Sequence, residues 1–284
     1  MTKENSVSPE APFTLAGKTA IVTGGGQGIG RAIVQQLASA GANVLACDLD
    51  RQALQETQSS VHNPERIALV CGDLMQPALP QEIVNAALEA FDSIDIIVNC
   101  AGFSWDSVIQ KTSDEQFLAM LNIHVIAPFR LLRAASDYLR ATAKREIASG
   151  QRVMRKVVNI TSISGTDGNP GQAGYSAGKA GVIGLTKTMA KEWGRYNINV
   201  NAVGFGIIQT RMLQPLKLGG TINMGGMDIS IGVQPELLDS IAAACPLGRF
   251  GTPEEAAGAV LFFCSPLSDF VTGEVLICSG GYRL

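Results

Sequence analysis

The chain has 284 residues, 46% of them hydrophobic and 17% charged, with a net charge of −3 and a pI near 5.5. That balance excludes a globally basic nucleic-acid binder, and the length is enough to bury about 75% of the surface that the unfolded chain exposes. Six cysteines without a CxxC pair, no secretory leader and no apolar run of the ~18–20 residues that span a bilayer predict a reduced, cytoplasmic chain.

Residues 1–15, with Pro9 and Pro12 among polar residues, read as a flexible arm. No linker-like stretch interrupts the rest, so residues 16–284 are expected to form a single domain. Lys18–Thr23 is a short apolar run of the kind found in a buried parallel strand. Gly28–Ala40 carries Ile29, Ile33, Leu37 and Ala40 at helical spacing. Asn43–Cys47, Ile67–Val70 and Ile94–Asn99 read as further strands, with a helix over Pro80–Phe91. A long helical stretch covers about Ser113–Ile147, with a break expected near Pro128. Val157–Ile160, Ile198–Val203 and Glu274–Cys278 complete seven strands, with helices over Tyr175–Arg195 and Pro253–Cys264. Strands alternating with helices predict an α/β fold: a Rossmann-type doubly wound parallel sheet with helices on both faces and ligands at the carboxyl ends of the strands.

The loop Thr23-Gly24-Gly25-Gly26-Gln27-Gly28-Ile29-Gly30 joins the first strand to the first helix. Small residues there let a backbone approach a pyrophosphate, and the helix amino end faces its charge. The spacing is G-x-x-x-G-x-G rather than G-x-G-x-x-G. Asp48 ends the second strand, where a carboxylate can bind two ribose hydroxyls and repel a 2′-phosphate. NAD(H) is therefore favoured, while Arg51 leaves NADP(H) open. Asp73 follows the third strand and could reach the adenine, and Asn99-Cys100-Ala101-Gly102 ends the fourth with residues small enough to lie beside a cofactor. His62 and His124 are too few and too far apart for a metal site, and each reads as structural.

Tyr175 and Lys179 stand four apart, on one face of a helix. A cation beside a phenol is expected to lower its pKa toward neutrality, where it can exchange protons near pH 7. Ser162 lies thirteen residues upstream. Taken singly, a helical Tyr packs, a Ser among Thr161 and Ser164 caps, and a Lys is solvated; the set at these spacings points to proton chemistry.

On Thr23–Gly30, Asp48, Asp73, Asn99–Gly102, Asn122, Ser162, Tyr175, Lys179 and Val200–Thr210, the chain resembles the short-chain dehydrogenase/reductase family from about Leu15 to Leu284. Gly165–Gln172 is most similar to the 3-oxoacyl-[acyl-carrier-protein] reductase-like branch. The resemblance implies that Tyr175 is the acid/base and that Ser162 holds the substrate oxygen. It gives Lys179 contact with the nicotinamide ribose, and Asn122 support of a water linking Lys179 to solvent. It also implies that Leu74, Gly206, Ile208 and Thr210 join the cofactor contacts. Phe205-Gly206 stands where the family carries Pro-Gly, which leaves that loop without a rigid φ. Gly174, just before Tyr175, would widen the mouth of the site.

Arg211–Gln234 is expected to be a mobile substrate lid with one short helix; it is Gly-rich and carries Met212, Leu213, Leu216, Leu218 and Ile222. Arg130–Lys156 holds eight basic against two acidic residues, either a solvated face or a dock for an acidic carrier protein or CoA phosphates. The resemblance implies a homotetramer built on the two long central helices and the C-terminal edge. It implies an NAD(P)(H)-dependent enzyme interconverting a ketone and a secondary alcohol, as in 3-oxoacyl-ACP or acyl-CoA reduction. The alternatives are an NAD-dependent alcohol, polyol or hydroxysteroid dehydrogenase and, in another class, a non-catalytic nucleotide-binding sensor.

Overall fold

Apolar runs bounded by turn residues become strands because both their faces can be covered. A computed structural model describes residues 13–210, 221–224, 227–230, 240 and 242–284. In it every residue of β1 (Thr19–Thr23), β5 (Arg155–Ser162) and β6 (Ile198–Phe205) is buried. With β2 (Asn43–Asp48), β3 (Ile67–Cys71), β4 (Ile96–Asn99) and the late strand β9 (Val275–Cys278) they form one parallel sheet. Its order is β3-β2-β1-β4-β5-β6-β9. The order reverses between β1 and β4, so their carboxyl ends open the crevice where doubly wound sheets bind ligands.

Two apolar clusters cover the two faces. On one, Ile83 and Val84 of α3 (Leu79–Phe91), Leu131 and Leu139 of α5 (Ala127–Ala148) and Trp193 of α7 (Ala173–Trp193) pack on Ile97, Val157 and Val200. On the other, Ile33 and Leu37 of α1 (Gly28–Ser39), Leu54 of α2 (Arg51–Ser59) and Val260 and Phe263 of α8 (Pro253–Cys264) pack on Val22, Val98 and Val158. Helix α8 starts on a reciprocal cap between Thr252 and Glu255 with Pro253 in its first turn. Helix α2 and the short α6 (Ile163–Asp167) are elements that periodicity does not mark.

The expected break at Pro128 is absent. Helix α4 (Asp114–Leu121) passes through a π-helical turn, Asn122–Ile126, straight into α5, and Pro128 falls in the first turn of α5, where a missing N–H costs little. The run Asp114–Ala148 is long and apolar enough, by length and composition, to cross a membrane, contrary to the sequence expectation. Here its apolar side covers the sheet, with Met120, Leu131, Leu132 and Ala135 buried.

Within 211–234, residues Thr221–Met224 (β7) and Met227–Ser230 (β8) pair antiparallel, and the short helix expected there lies outside the described residues. The rest of that expected lid, and residues 1–12 of the expected arm, lie outside the described residues. The basic stretch does not form one surface. Arg155 is buried and donates to both carboxylate oxygens of Glu146, at 2.6 and 2.7 Å. Lys156 is buried and bonds Asp269 at 2.7 Å and Asn199 at 2.9 Å, while Arg130 donates to the Met75 carbonyl.

Candidate active site

The loop after β1 is shaped by contacts that exclude a methyl group. Gly24 has φ +70°, and a Cβ there would lie 2.8 Å from the Ala101 Cα. A Cβ on Gly30 would lie 1.8 Å from the Gly24 carbonyl oxygen, so the first turn of α1 can sit on the loop only without a side chain. Thr23 joins β1 to the end of β4: its hydroxyl oxygen accepts from the backbone N–H groups of Cys100 and Ala101. The amino end of α1 carries no side-chain cap, leaving its N–H groups directed at the cleft.

Asp48, at the end of β2, accepts from the Gly26 N–H at 2.9 Å and from the Asp50 N–H at 3.2 Å. Both bonds fix the carboxylate beside the glycine loop. Arg31 is committed elsewhere, to the Gly26 and Ala53 carbonyls, Thr57 and Glu56. The nearby cation at the cleft wall is Arg51, exposed in the first turn of α2. Asp73 both lines the cleft and caps its own turn through the Met75 N–H.

At the other end of the same cleft, of about 770 Å³, lie Ser162, Tyr175 and Lys179. Ser162 ends β5 and accepts from the Ser164 N–H as the cap of α6, so the capping and catalytic readings apply to one residue. Helix α7 crosses close behind because Gly165 has no side chain: a Cβ there would meet Lys179 at 2.7 Å. Thr161 donates to the Lys179 carbonyl, and the Lys179 ammonium donates to the Ile160 carbonyl at 2.9 Å.

The electrostatics correct one expectation. The Tyr175 ring opens on the cleft but is otherwise enclosed by protein, and burial pushes its phenol up to about 12. Interaction with Ser162 works in the opposite direction, and the charge of Asp106 adds to the rise. Lys179, 5.6 Å from the ring centroid, does not reverse this. Its own ammonium is brought down to about 8 by burial. The phenol is therefore a protonated donor through the neutral range, and the lysine is the group that titrates near it.

Of the expected cofactor contacts, Gly24, Gln27, Gly28, Ile29, Gly30, Asp48, Asp73, Leu74, Ala101, Gly102, Tyr175, Lys179, Gly206, Ile208 and Thr210 all line the cleft. Asn99 does not. It is buried in the sheet and donates to Asn159, which donates on to Thr186. Asn122 also lies off the lining, in the π-helical turn, where its carbonyl accepts from the Ala127 N–H. Gly174 does not open the mouth; it is buried where α7 meets Met120 and Phe117. The loop after Phe205 needs no proline, because Gly206 bonds Cys278 and residues 207–209 bond Gly251 on both sides. Periodicity could not flag Phe103, Ile160 or His124 as cleft residues, since each sits in an apolar or mixed run. Cys100 is held as an unreactive thiol, pushed up to about 12 by burial.

His124 is 3% exposed, and its Nε2 lies 2.7 Å from the Phe103 carbonyl oxygen. A carbonyl only accepts, so Nε2 carries the proton. Burial and the Lys179 charge keep the ring neutral, well below the usual histidine range. Nδ1 is then an acceptor without a partner, a deficit of about 1–3 kcal/mol.

The cleft fits a dinucleotide. A cradle that a Cβ would fill meets a helix amino end suited to a pyrophosphate, and a fixed carboxylate stands where ribose hydroxyls would lie.

Known proteins share this arrangement of sequence. The profile of a family described as enoyl-(acyl carrier protein) reductase matches residues 24–283. The 3-oxoacyl-[acyl-carrier-protein] reductase FabG of Aquifex aeolicus is 34% identical over 271 residues, covering 94% of this chain and 98% of that protein. The (3R)-3-hydroxyacyl-CoA dehydrogenase of Rattus norvegicus is 35% identical over 277 residues, covering 94% and 96%. A crystal structure of a short-chain dehydrogenase/reductase from Brucella melitensis, titled glucose/ribitol dehydrogenase, superposes with a TM-score of 0.77 at 27% identity. It covers 95% of this chain and 98% of that one.

Proposed function

The chain belongs to the short-chain dehydrogenase/reductase family, as an NAD(P)(H)-dependent oxidoreductase acting between ketone and secondary alcohol, and we propose that it reduces a 3-oxoacyl thioester with NADH. The observation that carries this reading is the convergence of Ser162, Tyr175 and Lys179 on the cleft whose far end is the glycine loop and Asp48. A dinucleotide bound in this cleft would supply the hydride. The loop Gly24–Gly30 and the amino end of α1 would hold its pyrophosphate, Asp48 its adenosine ribose, and Lys179 its nicotinamide ribose.

The chain's own part is to place the carbonyl and move a proton. Ser162 donates a hydrogen bond to the substrate oxygen and orients it beside Tyr175. Tyr175, protonated at neutral pH, donates its proton to that oxygen. Lys179, brought down to about 8, is the charge behind the phenol and the group through which the proton is replaced. Asn122, in a π-helical turn of the kind often found at functional sites, supports this path.

NADH is supported by the Asp48 carboxylate, held beside the glycine loop by the Gly26 amide, and by the commitment of Arg31 to that loop. The same carboxylate supports a second reading, oxidation of an alcohol or polyol with NAD. Steady-state rates with NADH and NADPH on acetoacetyl-CoA, beside a panel of ketones and secondary alcohols, test both readings. No turnover of the thioester with either nucleotide would rule out the first.

We further assign residues 16–284 to one domain, 211–234 to a substrate lid, and the protein to the cytoplasm. An acyl carrier protein or CoA carries the substrate. A homotetramer is supported by two uncovered apolar areas. One is a groove of about 630 Å³ between α5 and α7 that includes Phe129, Leu132 and Met189. The other is the C-terminal edge, where Phe270 is fully exposed and Leu276 of β9 faces out. Light scattering on the purified protein reads the state directly.

A further inference from the structure

The proton chemistry above leaves His124 unused. Its imidazole occupies a slot that two glycines create. A Cβ on Gly102 would lie 2.4 Å from its Cε1, and one on Gly178, between Tyr175 and Lys179 on α7, would lie 3.0 Å from its Cβ. The ring meets the Tyr175 ring edge-on, with centroids 5.1 Å apart at 88°. Its Nε2–H is bonded to Phe103 in the loop after β4. An apolar side chain could fill such a slot without stranding an acceptor at Nδ1, so packing alone does not account for an imidazole. What the imidazole adds is one polar bond. That bond ties the turn carrying Asn122 to the loop Ala101–Phe103 and fixes the ring that Tyr175 leans on.

We propose that His124 is a positioning residue for Tyr175. Its bond to the Phe103 carbonyl holds the imidazole as a rigid wall, and that wall sets the phenol toward the reacting oxygen. The inference rests on the reading of Tyr175 as the proton donor. Because His124 is neutral and touches Tyr175 only through its ring, it acts by geometry and transfers no proton itself. Two substitutions separate its parts: His124→Phe keeps a ring without the donor, and His124→Gln keeps a donor of similar reach without the ring.

The test measures kcat and KM with acetoacetyl-CoA and NADH, NADH affinity by fluorescence titration, and the pH profile of kcat for each variant. His124→Phe is expected to lower kcat about tenfold or more, since small misplacements at a reacting centre act on kcat. Its NADH affinity and KM should stay within about twofold, and its kcat–pH midpoint should move. His124→Gln, which keeps the donor but leaves Tyr175 no ring to lean on, should also lower kcat about tenfold or more with NADH affinity unchanged. Wild-type kcat in His124→Phe overturns the proposal. So does wild-type kcat in His124→Gln, or a variant of either kind in which NADH affinity falls in step with kcat. If His124→Phe does not fold, the His124→Gln rate decides alone. Turnover retained in Tyr175→Phe, assayed alongside, would instead remove the reading of Tyr175 and leave the wall without its object.

Discussion

The two ends of the cleft are made of different material. The nucleotide end is mostly backbone: glycines that admit no Cβ, the unsatisfied N–H groups of α1, and one carboxylate pinned by the Gly26 and Asp50 amides. The catalytic end is side chains whose proton affinities are set by burial, with Tyr175 pushed up to about 12 and Lys179 brought down to about 8. A backbone cradle fails when a methyl group is added. A side-chain site fails when a single proton is misplaced, even though nothing moves.

The sharpest way to break the contrast is at Tyr175. Tyr175→Phe should cost about 10³-fold or more in kcat while NADH affinity stays within about threefold, read by steady-state rates and fluorescence titration. Wild-type rates would end the mechanism. The mirror experiment is Gly30→Ala. Its Cβ would meet the Gly24 carbonyl at 1.8 Å, so NADH affinity should fall by about 100-fold, with the acid/base residues untouched. An Ala variant that binds NADH normally would show that the loop yields where the contacts say it cannot.

Asp48→Ser lies between these extremes. It removes the charge that repels a 2′-phosphate and should raise the NADPH-to-NADH ratio of kcat/KM about tenfold. An unchanged ratio would take Asp48 out of the ribose site. The smallest effect concerns stability. The folded pKa of Lys179 lies below its ordinary 10.5, so between about pH 8 and 10.5 the unfolded chain holds a proton that the folded one has released. Its contribution to stability therefore rises with pH across that window, and below it the full penalty of a buried charge applies. Lys179→Met should abolish turnover yet stabilise the protein by about 1–3 kcal/mol near pH 7, a Tm rise of a few degrees that shrinks by pH 10. A lower Tm at pH 7 would show that the bond to the Ile160 carbonyl outweighs the desolvation.

The same division decided what could be read in advance. All seven sheet strands were legible as apolar runs, because burial on both faces demands them. The glycine loop was legible because only glycine permits that backbone. Asn99 shows where this reasoning stops: a small polar residue at a strand end reads as a cofactor contact, while its side-chain amide is bonded inward to Asn159. Gly174 misled in the same way, being a packing position against Met120 and not an opening. The basic run Arg130–Lys156 looked like a surface because charge is counted along the chain. Arg155 and Lys156 are strand residues whose partners, Glu146 and Asp269, come from α5 and from the turn after α8. Breaking the first pair by removing Glu146 would strand a buried guanidinium at a cost of about 3–5 kcal/mol.

The amino-acid sequence by itself determined the parallel sheet and the glycine loop, and it nominated Tyr175 and Lys179 for proton chemistry. The first two follow from local rules of strand burial and of glycine at positions closed to a Cβ, the third from Tyr and Lys one helical turn apart together with the family resemblance that the other motifs carry. Only the tertiary structure decided how those residues behave. Whether a phenol is pulled toward neutrality by a cation or pushed away from it by burial depends on which walls close around it. Those walls are β5, α7, the π-helical turn and the loop after β4, and they come from stretches of chain far apart in sequence. Proton affinity is a property of the assembled surroundings, and no spacing along the chain encodes it.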